Sequence, residues 1–253
     1  MNRKKKSLCK ESAVSETVGY IIIFGIMMTG IALVTLYGYP LLLQEQANAN
    51  IKNMERNMIV LQNDMNSLTY KNVPYQETML QVSGGTLMVE NPSGEKYFKI
   101  YNSTDQFIPL TDNKFQPGEL LYISSSEPIQ IGLQSGAVVR WQLGGSVMIS
   151  EPRWFFDEDT GALVITLIQT TADSDLAQTG IGTVRMNVSV LHPPVEKISP
   201  GTVTIEYTDT PHDYFTAWRN YFNKFASTTT SSVSIPDVDK LIIKTYKVTI
   251  LSL

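Results

Sequence analysis

The sequence predicts an α+β protein in which a long N-terminal transmembrane and coiled helix precedes an antiparallel β-sandwich-like domain with one C-terminal amphipathic helix. Three observations predict it. Residues 18–39 contain no charged side chain. Apolar residues then recur every three or four positions from Ala47 to Leu68, and from Glu77 onward the period falls to two, punctuated by Gly and Pro.

Residues 18–39 would extend roughly 33 Å as a helix, against a hydrocarbon core of about 30 Å, so they are long enough to span a bilayer. Ahead of them Arg3, Lys4, Lys5, Lys6 and Lys10 fall within ten residues, and a cationic lead stays on the cytoplasmic side. The expected topology is N-terminus inside, with residues 73–253 forming an extracytoplasmic domain. The apolar run is too long for an ordinary secretory signal, and no small-residue cleavage site follows it. Any cut must precede the run, which makes residues 1–12 a basic cytoplasmic leader open to removal.

The whole chain carries a net charge of −4 from 20 basic and 24 acidic side chains. Removing the leader takes away five basic residues and one acidic residue, leaving 15 against 23, or −8. An acidic outer part lacks the clustered Lys and Arg that replace counterions on nucleic acid, so nucleic acid is not an expected partner. The single cysteine, Cys9, lies in the leader. The outer part therefore has no disulfide and no thiolate metal site.

Glu16 stands at the helix entrance, where the helix dipole favours a carboxylate, with Ser12 or Ser15 as cap. Gly25, Thr29 and Gly30 place small residues where a second helix could approach closely. Gly38 and Pro40 predict a kink, not a stop. Beyond it Ala47, Ile51, Met54, Met58, Leu61, Met65 and Leu68 follow the heptad spacing of a seam. The helix is expected over residues 13–72, membrane-spanning over about 18–40 and heptad-patterned over about 44–70. The seam can face this chain's own sheet or the same helix of other subunits.

Candidate strands cover residues 78–82, 86–90, 97–101, 119–124, 129–133, 137–143, 146–150, 163–170, 182–191, 202–208 and 241–251, with turns at Ser83-Gly84-Gly85, Asn91-Pro92, Pro117-Gly118 and Gly144-Gly145. Thr210, Pro211 and Asp213 mark a helix start. The stripe Tyr214, Trp218, Tyr221, Phe222 and Phe225 that follows is of the kind that lies against a sheet.

Catalytic signals are missing. No Gly-x-Ser-x-Gly, phosphate loop or zinc spacing occurs around His192 or His212. Asp157-Glu158-Asp159-Thr160-Gly161 begins like a calcium loop, but Ile168 stands where the closing Glu belongs, so a hairpin turn is the better reading. No enzyme, cofactor or metal is expected. Asn102-Ser103-Thr104 and Asn187-Val188-Ser189 fit the Asn-glycosylation acceptor.

A basic lead, a cut just before an apolar helix and retention of that helix resemble the type III signal of type IV prepilins and archaellins. More closely, Ala13-Val14-Ser15-Glu16-Thr17-Val18-Gly19-Tyr20 resembles the start of archaeal type IV pilin-like membrane proteins, as do GAVVRW at residues 136–141 and GGSVMISEPRWFF at residues 144–156. That resemblance implies processing by a prepilin peptidase near Ser12 and Ala13, with Glu16 meeting the N-terminal amine of a neighbouring subunit. It also implies a non-catalytic surface protein, stored in membrane lipid and self-assembling through its N-terminal helix into a filament. One departure is Lys10-Glu11-Ser12, where this group more often puts a basic residue directly before the Ala. The alternative is a single-pass surface anchor that never polymerises and whose β-domain binds a ligand or envelope component.

Overall fold

The computed structural model describes residues 11–71, 73–108, 113–210, 213–228 and 230–253. The basic lead at residues 1–10 with Cys9, Asn72 at the expected end of the helix, and Pro211 and His212 lie outside the described residues. The chain forms two compact units, Met1–Ala49 and Asn50–Leu253.

The helical part comprises α1 (Glu11–Leu33), a π-helical turn (Val34–Gly38) and α2 (Tyr39–Tyr70). The kink expected near Gly38 takes the form of this wider turn. Pro40 has no N–H for the carbonyl four residues back, and its ring would collide with that carbonyl. Widening the turn by one residue relieves the collision, and the Tyr39 N–H donates to Val34 O, five positions earlier.

The remainder is one mostly antiparallel sheet, in the order β6-β5-β4-β3-β1-β9-β10-β8-β7, with β2 added on β9. Its strands are β1 (Tyr75–Glu90), β2 (Lys96–Tyr101), β3 (Glu119–Ser124), β4 (Ile129–Gln134), β5 (Ala137–Gln142), β6 (Gly145–Ser150), β7 (Phe155–Asp157), β8 (Ala162–Ala172), β9 (Ala177–Asp209) and β10 (Ser232–Ser252). Only β8 and β10 pair in parallel among the described residues. Between β9 and β10 lies α3 (Phe215–Phe222).

Two expected pairs of strands are single strands. Ser83-Gly84-Gly85 is a bulge and not a turn. On one edge β1 pairs with β9 through Val82 and again at Leu87 and Met88, with a register shift between; on the other it pairs with β3 from Gly85 onward. Gly85 is needed because a Cβ there would come within 2.3 Å of Ile123 O. The expected strands at 182–191 and 202–208 likewise belong to the continuous β9. Its prolines sit at register shifts: Pro193 and Pro194 lie between the pairs Thr245↔His192 and Ile243↔Val195, and Pro200 between Lys240↔Ile198 and Val238↔Gly201. A residue without an N–H is tolerated in a ladder where the pairing is already interrupted.

Two apolar cores fill the sheet. In one, Ile51, Met54, Met58, Leu61, Met65 and Leu68 of α2 pack with Leu80, Leu87, Leu120, Ile131 and Val248. From Ile51 onward the heptad seam therefore faces this chain's own sheet. Gln62 Nε2 fastens the helix by donating to Gly136 O (2.7 Å) and Glu151 O (3.0 Å), and Arg140 pairs with Glu55 at 2.9 Å. In the other core, Phe98, Ile165, Leu167, Ile205 and Ile243 surround Trp218 and Phe222 of α3.

Gly118, just ahead of β3, lies tightly against β8. Its φ is +58°, and a Cβ would approach Thr170 O to 2.2 Å. Gly118→Ala combines left-handed strain with that collision, and should lower stability by at least about 2 kcal/mol, read as a shift in urea midpoint.

Candidate functional site

Two features of the molecule are not explained by the fold alone. The first is the apolar helix. Side chains from Val18 to Leu43 point outward all round, among them Ile21 (62% exposed), Ile26 (67%), Val34 (69%) and Leu42 (69%). A soluble surface helix hides one apolar stripe and shows a polar face; this one has no polar face. It is the one helix among the described residues long and apolar enough to cross a membrane.

Glu16 is exposed near the start of α1, and Ser12 and Ala13 belong to its first turn. Gly25 and Gly30 have open space where a Cβ would stand. Thr29 Oγ1 donates to Gly25 O at 2.8 Å and Thr35 Oγ1 to Ile31 O at 2.9 Å, so the two threonine hydroxyls of this stretch are satisfied within the helix. That arrangement suits a medium that offers no hydrogen bonds.

The second feature is a buried charged cluster that sequence reasoning did not single out. Lys96 opens β2 and Glu119 opens β3. Lys96 Nζ lies 2.5 Å from Glu119 Oε1, 3.7 Å from Glu90 Oε2 and 4.9 Å from the centre of the Tyr214 ring. The Glu119 side chain is 1% exposed. Its Oε2 and the Tyr214 hydroxyl both crowd Gly132, where a Cβ would come within 2.3 Å of each. Neither atom has a hydrogen-bond partner of ordinary geometry among the described residues, although the Tyr214 hydroxyl is near enough to favour the charged carboxylate.

Burial pushes the Glu119 carboxyl up to about 7, against the opposing pull of Lys96. Burial pulls the Lys96 amine down, but Glu119, Glu90 and Asp209 outweigh it and hold the amine above its ordinary value. Burial, then the Glu119 charge, drives the Tyr214 hydroxyl well above its own. Nearby, Asp209 Oδ2 accepts the Tyr214 N–H at 2.5 Å, and Gln134 Oε1 accepts from Tyr207 Oη (3.0 Å) and Trp218 Nε1 (3.1 Å).

The remaining sequence candidates lie apart from both features. Asn102 is engaged in its own turn: its oxygen accepts from Thr104 N–H (2.9 Å) and Asp105 N–H (2.5 Å), and its nitrogen donates to Pro200 O (3.0 Å). Asn187 is exposed in β9, between Tyr75 of β1 and Thr249 of β10. Asp157 turns the chain from β7 into β8, accepting from Asp159 N–H and Thr160 Oγ1. No three His, Cys, Asp or Glu side chains converge to hold a metal among the described residues.

A family model described as "Family of unknown function (DUF7289)" matches residues 13–250. The chain belongs to that family. No curated protein and no solved structure matches it. The match begins at Ala13 and includes the apolar helix together with nearly all of the sheet.

Proposed function

We propose that this protein is a non-catalytic, pilin-like surface protein whose N-terminal helix serves first as a membrane anchor and then as an assembly element. The observation that carries this reading is the helix between Val18 and Leu43, apolar and exposed on every side. Lipid would cover that surface before assembly, and the same helix of neighbouring subunits would cover it afterwards. The basic lead puts the N-terminus in the cytoplasm and the sheet outside. A prepilin peptidase would cut near Ser12 and Ala13, leaving Glu16 close to the new amine. The outer domain would act as a sandwich-like head with the amphipathic α3 laid on one core, and exposed Asn187 is the better placed glycan acceptor.

A second reading has its own support. From Ile51 the heptad seam is consumed by the chain's own sheet, so only the more N-terminal helix is left for contacts between subunits. A lone single-pass anchor, its head binding an envelope component, uses the same features without polymerising.

Crosslinking in intact cells separates the two. Gly30 has no atom within 4 Å of where its Cβ would be, so Gly30→Leu can obstruct a neighbouring helix without disturbing this one. The filament reading expects ladders of crosslinked subunits in the wild type and their loss in Gly30→Leu, with both chains still in the membrane fraction. Monomers alone in the wild type would overturn it in favour of the anchor.

A further inference from the structure

The ion pairs Arg185–Glu77, Lys224–Glu151 and Lys240–Glu196 are about half exposed on both sides, and Lys96–Glu119 is not. Burying two charges is expensive, and a buried pair is often less stabilising than neutral groups of the same volume. The cluster also joins strands that do not pair: β2 hydrogen-bonds to β9, and β3 to β1 and β4. With a single cysteine in the sequence, the chain has no disulfide with which to tie β2 to β3.

We propose that Lys96 and Glu119 condense spontaneously into a side-chain amide, a covalent cross-link between β2 and β3. Five conditions for that reaction meet in one place. The amine nitrogen is held against the carboxyl, 2.5 Å from Oε1, which makes the encounter intramolecular. Glu119 is shut off from water, so hydrolysis of the product is suppressed. Its carboxyl takes up a proton readily, because burial disfavours the charged form. A second carboxylate, Glu90, stands 3.7 Å from Lys96 Nζ to receive the proton that the ammonium must lose. The Tyr214 hydroxyl lies beside Oε2, where negative charge develops.

The step balances without any added reagent. Lys96 gives one proton, by way of Glu90, to the Glu119 carboxylate, and the neutral amine attacks Cδ of the carboxylic acid so formed. Tyr214 holds the oxyanion of the tetrahedral intermediate. Glu90 takes the second proton from the attacking nitrogen and delivers it to the hydroxyl as the C–O bond breaks, and one water leaves. The charged pair becomes a neutral amide in an apolar setting. Glu90 and Tyr214 touch the reacting groups and are the catalytic residues of this self-modification; Asp209 acts on Lys96 through its charge.

Peptide mapping of the full-length protein, purified in detergent and then denatured, tests the inference independently of whether the chain forms filaments. Reading the mass on peptides keeps any trimming of the N-terminus out of the result. The wild type is expected to yield a branched peptide joining the Lys96 and Glu119 segments, one water lighter than its parts. Lys96→Arg is expected to yield both segments unjoined, at full mass. Glu119→Gln should give the same branched peptide with loss of ammonia in place of water. Glu90→Gln, at a side chain 43% exposed, should leave unreacted chain to accumulate. Unjoined segments at full mass in the wild type would overturn the cross-link, and complete joining in Glu90→Gln would overturn the assignment of the base.

Discussion

Trp218→Ala will lower the stability of the sheet domain by about 3–5 kcal/mol, the range for emptying a fully buried large aromatic site. Trp218 is 0% exposed and stands at the centre of an aromatic group, with ring centroids 4.8 Å from Phe98, 5.4 Å from Tyr207 and 5.5 Å from Trp154. Edge and tilted ring contacts of this kind add to the area term. The indole N–H also donates to Gln134 Oε1, whose other donor is Tyr207. Removing it weakens a polar contact that is itself buried. Against a total of about 5–15 kcal/mol for a domain, the loss is a fifth or more. Urea unfolding of detergent-solubilised protein, followed by near-ultraviolet circular dichroism, should show a much lower midpoint. Trp218→Phe keeps an aromatic ring but loses the N–H and part of the indole volume, and should fall between the two. A midpoint for Trp218→Ala within error of the wild type would mean that α3 does not seal this core.

The aromatic stripe was legible because helical spacing puts Tyr214, Trp218, Tyr221 and Phe222 on one side, and all four are buried. The onset of α3 was less legible. Thr210, Pro211 and Asp213 carry start signals, yet α3 begins at Phe215, and Asp209 accepts the Tyr214 N–H just ahead of it. The seam from Ile51 to Leu68 was readable for the same reason of spacing, but its partner was not. A heptad pattern records that one face is apolar and says nothing about what covers it. The bulge at Gly84 and Gly85 was misread because a glycine pair signals both a turn and a close backbone approach, and only the continued pairing of β1 with β9 across a register shift separates them.

The apolar helix could be read directly, since length and absence of charge depend on consecutive residues. The Lys96–Glu119 cluster could not. Its members come from β2, β3, the end of β1, the end of β9 and the approach to α3, and isolated charges near turns are ordinarily solvated. Glu119 offered one local hint, as the acid heading the otherwise apolar Leu120-Leu121-Tyr122, all of it buried. Its partner was 23 residues away, with no periodicity linking the two.

Lys96→Met exposes the electrostatics of that cluster in a chain where no amine remains to react. Removing one partner of a buried pair leaves an uncompensated charge, with a typical cost of about 3–5 kcal/mol. The cost should depend on pH, and its sign follows from Glu119. Burial already carries this carboxyl from 4.5 to about 7 while Lys96 opposes the rise. Without Lys96, and with Glu90 adding repulsion and Tyr214 alone left beside it, the folded-state value climbs further. A carboxyl raised on folding binds its proton more tightly in the folded state, so its contribution is full below the unfolded value and is lost as pH rises through the folded one. The variant should therefore be most stable near pH 4–5 and lose at least about 3 kcal/mol as pH climbs past 7, at 1.36 kcal/mol per unit. Adding Glu119→Leu should remove the slope, because the group that titrates is gone. Urea midpoints at several pH values check both statements. A flat profile in Lys96→Met would show that Glu119 reaches water once its partner is lost, and that the pocket around Gly132 is not closed.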